Sequence, residues 1–157
     1  MRNENKVKTS YIFKLSVSKT KGTRKRNVDR VNVVETRGIT GDAHADTFRA
    51  ISLLPYESFS RVNDSGLDVS PGDFAENITT IGLDFDRLAV GVRIALGDSV
   101  ILEVVQIGKE CHNDCPIGRA TGECIMPRQG VFSRAVRGGL LREGDPIRIL
   151  SVESDWP

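Results

Sequence analysis

With 157 residues, 39% hydrophobic and 27% charged, the chain has the size and composition of one globular domain, residues 1–157, with a folded core expected from about 12 to 152. A net charge of +1 provides no global attraction to nucleic acid or to a membrane, and no apolar run approaches the roughly 18 residues of a spanning helix. The opening MRNENKVKTS is polar and lacks the apolar segment of a secretory leader, so the expectation is a cytoplasmic protein whose three cysteines are thiols.

Ile12 to Ser18 alternates, with Phe13, Leu15 and Val17 on one side, and predicts a half-buried strand. A basic run follows, Lys19, Lys21, Arg24, Lys25, Arg26 and Arg30, which reads equally as a solvated loop or an anion-binding one. Val28 to Glu35 predicts a second strand. The turn-rich segment after it holds Asp42, His44 and Asp46 at every second residue. On an extended segment those three would share a face and could ligate a metal; the competing reading is a hydrogen-bonded structural histidine. Arg49 to Leu54 predicts a buried strand. Pro55 suits the first position of a short helix carrying Glu57, Phe59 and Val62 and stopping near Gly66.

Pro71-Gly72-Asp73 is a turn, and Phe74 to Ile81 is extended, with Asn77 either capping local backbone or bonding a ligand. Val90 to Gly108 predicts a hairpin about Gly97-Asp98, with Val92, Ile94 and Leu96 facing inward. GVFSRAVRGG, residues 130–139, predicts a second short helix closed by Gly138-Gly139, and Gly144-Asp145 opens a last strand through Ile147 and Ile149. Many short strands and two brief helices predict a mainly β fold, closed into a barrel.

Residues 108–132, GKECHNDCPIGRATGECIMPRQGVF, hold all three cysteines, Cys111, Cys115 and Cys124, together with His112, Lys109, Arg119 and Arg128. The glycines and prolines predict a shaped loop, and nearby positive charge raises a thiol's thiolate fraction. Three readings are open. Cys111, directly after a strand, could be a thiolate that carries persulfide sulfur or binds a soft metal, with Cys115 and Cys124 resolving it. Cys111, His112, Cys115 and Cys124 supply the four ligands of a structural zinc, although their spacing lacks paired short C-x2-C steps. The third reading is thiols without a role.

Taken in order, Gly41-Asp42-Ala43-His44, the Arg49 to Leu54 segment, Gly72 to Ile78, Gly108 to His112, Cys124 to Phe132, Gly138-Gly139 and Gly144-Asp145 resemble the pattern of stand-alone bacterial MOSC-domain proteins. The resemblance runs from about Ser16 to Ile149. It implies a closed β-barrel of the pyruvate-kinase barrel-like type with a few short helices. It also implies a likeness to the C-terminal domain of molybdenum cofactor sulfurase and to the amidoxime-reducing molybdenum enzymes. By that resemblance Cys111 ligates molybdenum or carries its sulfur, with Cys115 in reserve as the catalytic cysteine. Arg49, Ser52, Asn77 and Arg128 match positions expected to line a molybdopterin pocket, with His44 and Lys109 close by and Arg24 and Lys25 reaching the phosphate.

The pyridoxal-phosphate-dependent desulfurase domain of the sulfurase has no counterpart, so no pyridoxal phosphate is expected in this chain. The implied role is a molybdenum cofactor-binding or sulfur-carrier module. It would act in sulfur transfer, or as part of a molybdenum oxidoreductase, with a desulfurase or molybdoenzyme as partner. The alternative is a non-catalytic binding module with a zinc or oxyanion site in the cysteine-rich loop.

Overall fold

Alternating apolar residues build nearly all the regular structure, because one face of each short strand has to be taken out of water. A computed structural model describes residues 9–64, 66–108 and 130–150. Its strands are β1 (Tyr11–Val17), β2 (Arg26–Val28), β3 (Arg30–Val34), β4 (Gly38–Ile39), β5 (Ile51–Pro55), β6 (Ile78–Ile81), β7 (Arg93–Leu96), β8 (Val100–Ile107), β9 (Val131–Arg137), β10 (Gly139–Arg142) and β11 (Ile147–Ile149). A 3-10 turn, Tyr56–Ser58, leads into the α-helix α1 (Phe59–Asn63), and a second 3-10 turn spans Phe85–Arg87. The fold is thus mainly β, as expected. No helix among the described residues is long and apolar enough to cross a membrane.

Eight strands pair in the order β11-β7-β8-β9-β5-β6-β1-β2, and three more form a separate sheet, β10-β3-β4. The closed barrel is a correction: the sheets do not close into one. β11 and β2 are the ends of the large sheet. A lone bridge between Tyr11 and Pro146, with the backbone bonds Ile12 N–H to Asp145 O (2.9 Å) and Ile147 N–H to Ser10 O (2.9 Å), ties β1 to the approach of β11. The expected strand 28–35 is also two strands. Asp29 separates β2, which pairs with β1, from β3, which joins the small sheet. The chain returns to that sheet through Gly138-Gly139. A Cβ on Gly138 would lie 2.5 Å from Val33 O and one on Gly139 2.0 Å from Ser99 Oγ, so no larger residue fits at this corner.

The helix expected across residues 130–139 is instead the strand β9, the second correction. β9 is hydrogen-bonded on both sides, to β8 from Val131 through Arg137 and to β5 from Val131 through Ser133. Register shifts in the β8–β9 ladder, between Ile101 and Leu102 and between Val104 and Gln106, break strict alternation. Val131, Phe132, Ser133 and Ala135 are therefore all buried, a spacing that imitates a helical face.

The main core joins residues from Ile12 to Ile147, including Leu53, Ile78, Ile94, Leu102 and Val131. A second cluster lies under α1, where Phe59 meets Phe74 edge-on at 5.3 Å, beside Leu54, Val62 and Phe132. Burying a side chain such as Phe59 contributes about 2 kcal/mol, which compensates for a helix too short to hold itself.

Thr80, on β6, is fully buried, and its Oγ1 has no hydrogen-bond partner among the described residues. Exchanging that hydroxyl for a methyl removes a desolvation penalty at nearly constant volume. Thr80→Val is expected to stabilise the protein by about 1 kcal/mol, read as a higher midpoint in urea at unchanged slope. A lower midpoint would show that the hydroxyl is satisfied.

Candidate functional site

The residues singled out in the sequence meet around the end of β1, in two connected groups. The first hangs on the hairpin between β1 and β2. Lys25 folds back under it, so that its Nζ lies 2.8 Å from Asp42 Oδ1, 3.0 Å from Ser18 Oγ and 3.2 Å from His44 Nδ1. The side chains of Lys25 and Asp42 are fully buried, and that of His44 is 31% exposed. Asp42 sits where the Gly41 turn leaves β4. It accepts from the backbone N–H of Ser18 (3.1 Å) and of His44 (3.0 Å). Burial opposes the ionisation of Asp42. The Lys25 ammonium and those two N–H groups overcome it and hold the carboxyl well below the usual carboxylate range.

The second group lies two residues back along β1. The Asn77 amide donates to Ser16 O (3.1 Å), and its carbonyl accepts from Ser52 N–H (3.0 Å). Asn77 N–H points at Ser52 O and Oγ, both at 3.1 Å, and Asn77 O accepts from Ser16 N–H at 2.8 Å. Ser52 and Asn77 are buried, and their mutual bonds join β1, β5 and the start of β6. The Pro71 turn links the two groups: Gly72 O accepts from Lys25 N–H at 2.9 Å, and Gly72 N–H donates to Glu76 Oε2 at 2.9 Å. Glu76 is buried with no cation beside it. Burial raises its pKa, against the bonds from Thr79 Oγ1 and the Gly72 and Phe74 N–H groups.

Of the basic residues expected at the site, Arg49, Arg24 and His44 reach solvent among the described residues. Arg49 is exposed, its guanidinium 5.4 Å from the Phe132 ring centroid, a cation–π contact that holds it at the rim. Arg24 is exposed too, with only a loose 3.9 Å approach to Asp73. His44 completes the set, its Nε2 making no hydrogen bond among the described residues. The ends of the cysteine-rich loop, Gly108 and Gly130, adjoin β8 and β9, the pair that carries Phe132, the ring under Arg49. Gly108 N–H bonds Gly130 O, and Phe132, two residues beyond, pairs with Ser52. Cys111, Cys115, Cys124, His112, Lys109 and Arg128 lie outside the described residues.

The metal set of Asp42, His44 and Asp46 does not form. Asp42 turns to Lys25, whereas Asp46 turns to Arg37, with Nε to Oδ1 at 2.9 Å. No group of three His, Cys, Asp or Glu side chains able to hold a metal occurs among the described residues. The competing reading, a hydrogen-bonded histidine, is the one found. Ser18 and Phe132 were missed as partners of the site, and Asp42, singled out as a metal ligand, is instead the counter-ion of Lys25.

The family model for the MOSC domain matches residues 40–116. No curated protein matches the chain by sequence. Among solved structures, the YuaD protein from Bacillus subtilis is similar with a TM-score of 0.75 at 20% identity, over 90% of this chain and 95% of that one. YiiM from Geobacillus stearothermophilus is similar with a TM-score of 0.68 at 20% identity, over 93% and 77% of the two chains. For YiiM from Escherichia coli the TM-score is 0.63 at 20% identity, over 93% and 70%. At such identity the likeness concerns the fold.

Asp42 carries the pH dependence of this region. Its pKa is depressed on folding, so its contribution to stability is complete above its ordinary value of 3.8 and is lost as the pH falls below that. Glu76, raised on folding, works in the opposite direction. Asp42→Asn is expected to cost about 3–5 kcal/mol at neutral pH, because it strands a buried ammonium. The difference in unfolding free energy between wild type and variant should shrink as the pH is taken below 4. A difference independent of pH would overturn the ion-pair account.

Proposed function

On the premise that the chain is a MOSC-domain protein, its match spanning residues 40–116, we propose that it binds the molybdenum cofactor and handles the sulfur of that cofactor. The observation carrying this reading is the exposed Arg49 guanidinium, held by Phe132 at the base of the loop that contains every cysteine, with Arg24 and His44 facing solvent on the β1–β2 hairpin and on the turn after β4. The donor set suits a phosphate-bearing pterin, because guanidinium groups offer paired N–H bonds to phosphate oxygens. Bound there, the cofactor would supply molybdenum as a redox-active, sulfur-accepting centre.

The roles of the chain's own residues follow. Arg49, steadied by Phe132, holds the phosphate, and Arg24 adds charge from the hairpin. By the family resemblance, Lys109 and Arg128 are further cations for the phosphate. Cys111, as thiolate or persulfide, presents sulfur to molybdenum, with Cys115 as the second cysteine. Ser52 and Asn77 shape the floor beneath them. The sulfur arrives as persulfide from a partner desulfurase, and a molybdoenzyme partner receives the cofactor.

The test is elemental and pterin analysis of protein purified without reductant from a host that makes the cofactor. Molybdenum with pterin is the expected result. Arg49→Ala should weaken pterin retention about tenfold, the loss of one charge-assisted contact, and Cys111→Ser should abolish molybdenum or persulfide loading. Stoichiometric zinc without pterin would replace this reading with the structural metal site. Loss of loading in Cys115→Ser but not in Cys111→Ser would move the role to the other cysteine.

A further inference from the structure

Lys25 has the wrong surroundings for a phosphate ligand. Its side chain is fully buried, and its ammonium has three N–H donors and no acceptor. Three acceptors stand around it: Asp42 Oδ1 at 2.8 Å, Ser18 Oγ at 3.0 Å and His44 Nδ1 at 3.2 Å. Ser18 Oγ is available to accept because its own proton goes to Thr20 O at 3.0 Å. None of the three donors is left for a ligand.

The third contact decides the state of the histidine. A nitrogen facing an ammonium at this distance has to accept, so Nδ1 carries no proton and the ring proton sits on Nε2. Asp42 does not compete for that nitrogen. Its Oδ2 is 3.7 Å from Nδ1, beyond hydrogen-bond range, and is occupied by the His44 backbone N–H at 3.0 Å. Asp42 thus fixes the backbone of His44 while compensating the lysine that fixes its ring.

We propose that Lys25 is a positioning residue that locks His44 in the Nε2–H tautomer and turns that N–H outward, as an uncharged donor to a bound oxyanion, without itself touching the ligand. Only the identity of the oxyanion rests on the proposed function; the locked tautomer is a property of the chain without ligand.

The test is side-chain nitrogen NMR on the full chain labelled at histidine, near neutral pH. The chain has two histidines, and His112→Gln assigns the signals. The expected wild-type spectrum shows a pyridine-like Nδ1 and a pyrrole-like Nε2. A pyrrole-like Nδ1, or the averaged signals of an unheld ring, overturns the proposal whatever any variant does. Lys25→Met should shift the two signals toward that average, and Lys25→Gln, which keeps an N–H donor, should restore the split. An unchanged split in folded Lys25→Met also overturns it. Inorganic phosphate added to wild type should shift the Nε2 signal. With the tautomer as expected, an unmoved Nε2 signal would remove the oxyanion from the proposal and count against the cofactor reading, leaving the lock established.

Discussion

Asn77 is where three strands are joined by one side chain, and much of the architecture depends on that junction. β5 and β6 are parallel, so the chain must leave β5, cross over and return alongside it. The crossover carries α1 and the Pro71 turn, and it ends at Asn77. There one amide bonds the backbones of Ser16 on β1 and Ser52 on β5. Without a residue offering donor and acceptor at that point, two buried backbone groups would go unpaired at the place where the register of the sheet is set. The same junction holds Gly72 against Lys25. A Cβ on Gly72 would stand 2.2 Å from Lys25 O, and its φ of +96° is one that side chains rarely adopt. The clip and the buried lysine are therefore parts of one construction.

That construction handles three buried ionisable side chains in two ways. Lys25 and Asp42 compensate each other at 2.8 Å, with Ser18 and His44 taking up the remaining hydrogen-bonding capacity. Such a pair contributes little net stability, but it confines the hairpin and the His44 turn to one arrangement. Glu76 has no cation and relies on Thr79 Oγ1 and the two N–H groups of its own turn. With Lys25 engaged internally, Arg24 and Arg49 are the cations of the candidate site among the described residues that face solvent.

The sequence alone determined the character of the strands. Alternation in residues 92–105, and the Gly97-Asp98 turn, reported directly on burial, because a pleated strand exposes every second residue. In residues 12–18 it did not, since the bulge between Ile12 and Lys14 leaves Ile12, Leu15, Ser16 and Val17 buried and Phe13 only half-buried. The sequence also carried the resemblance to MOSC-domain proteins, since Gly41-Asp42, Gly72-Asp73 and Gly138-Gly139 answer local demands of backbone conformation or close approach. The tertiary structure decided the rest. Residues 131–136 carry a spacing that fits a helix or a bulged strand, and only pairing with β5 and β8 selects the strand. Whether the strands close into a barrel depends on where β2 and β3 part at Asp29, which no periodicity records. Lys25 and Arg24 are neighbours of like charge in the sequence, yet one is an internal counter-ion and the other faces solvent. The difference lies in Asp42 and Ser18, 17 and 7 residues away from Lys25, brought to it only when the hairpin folds over the His44 turn.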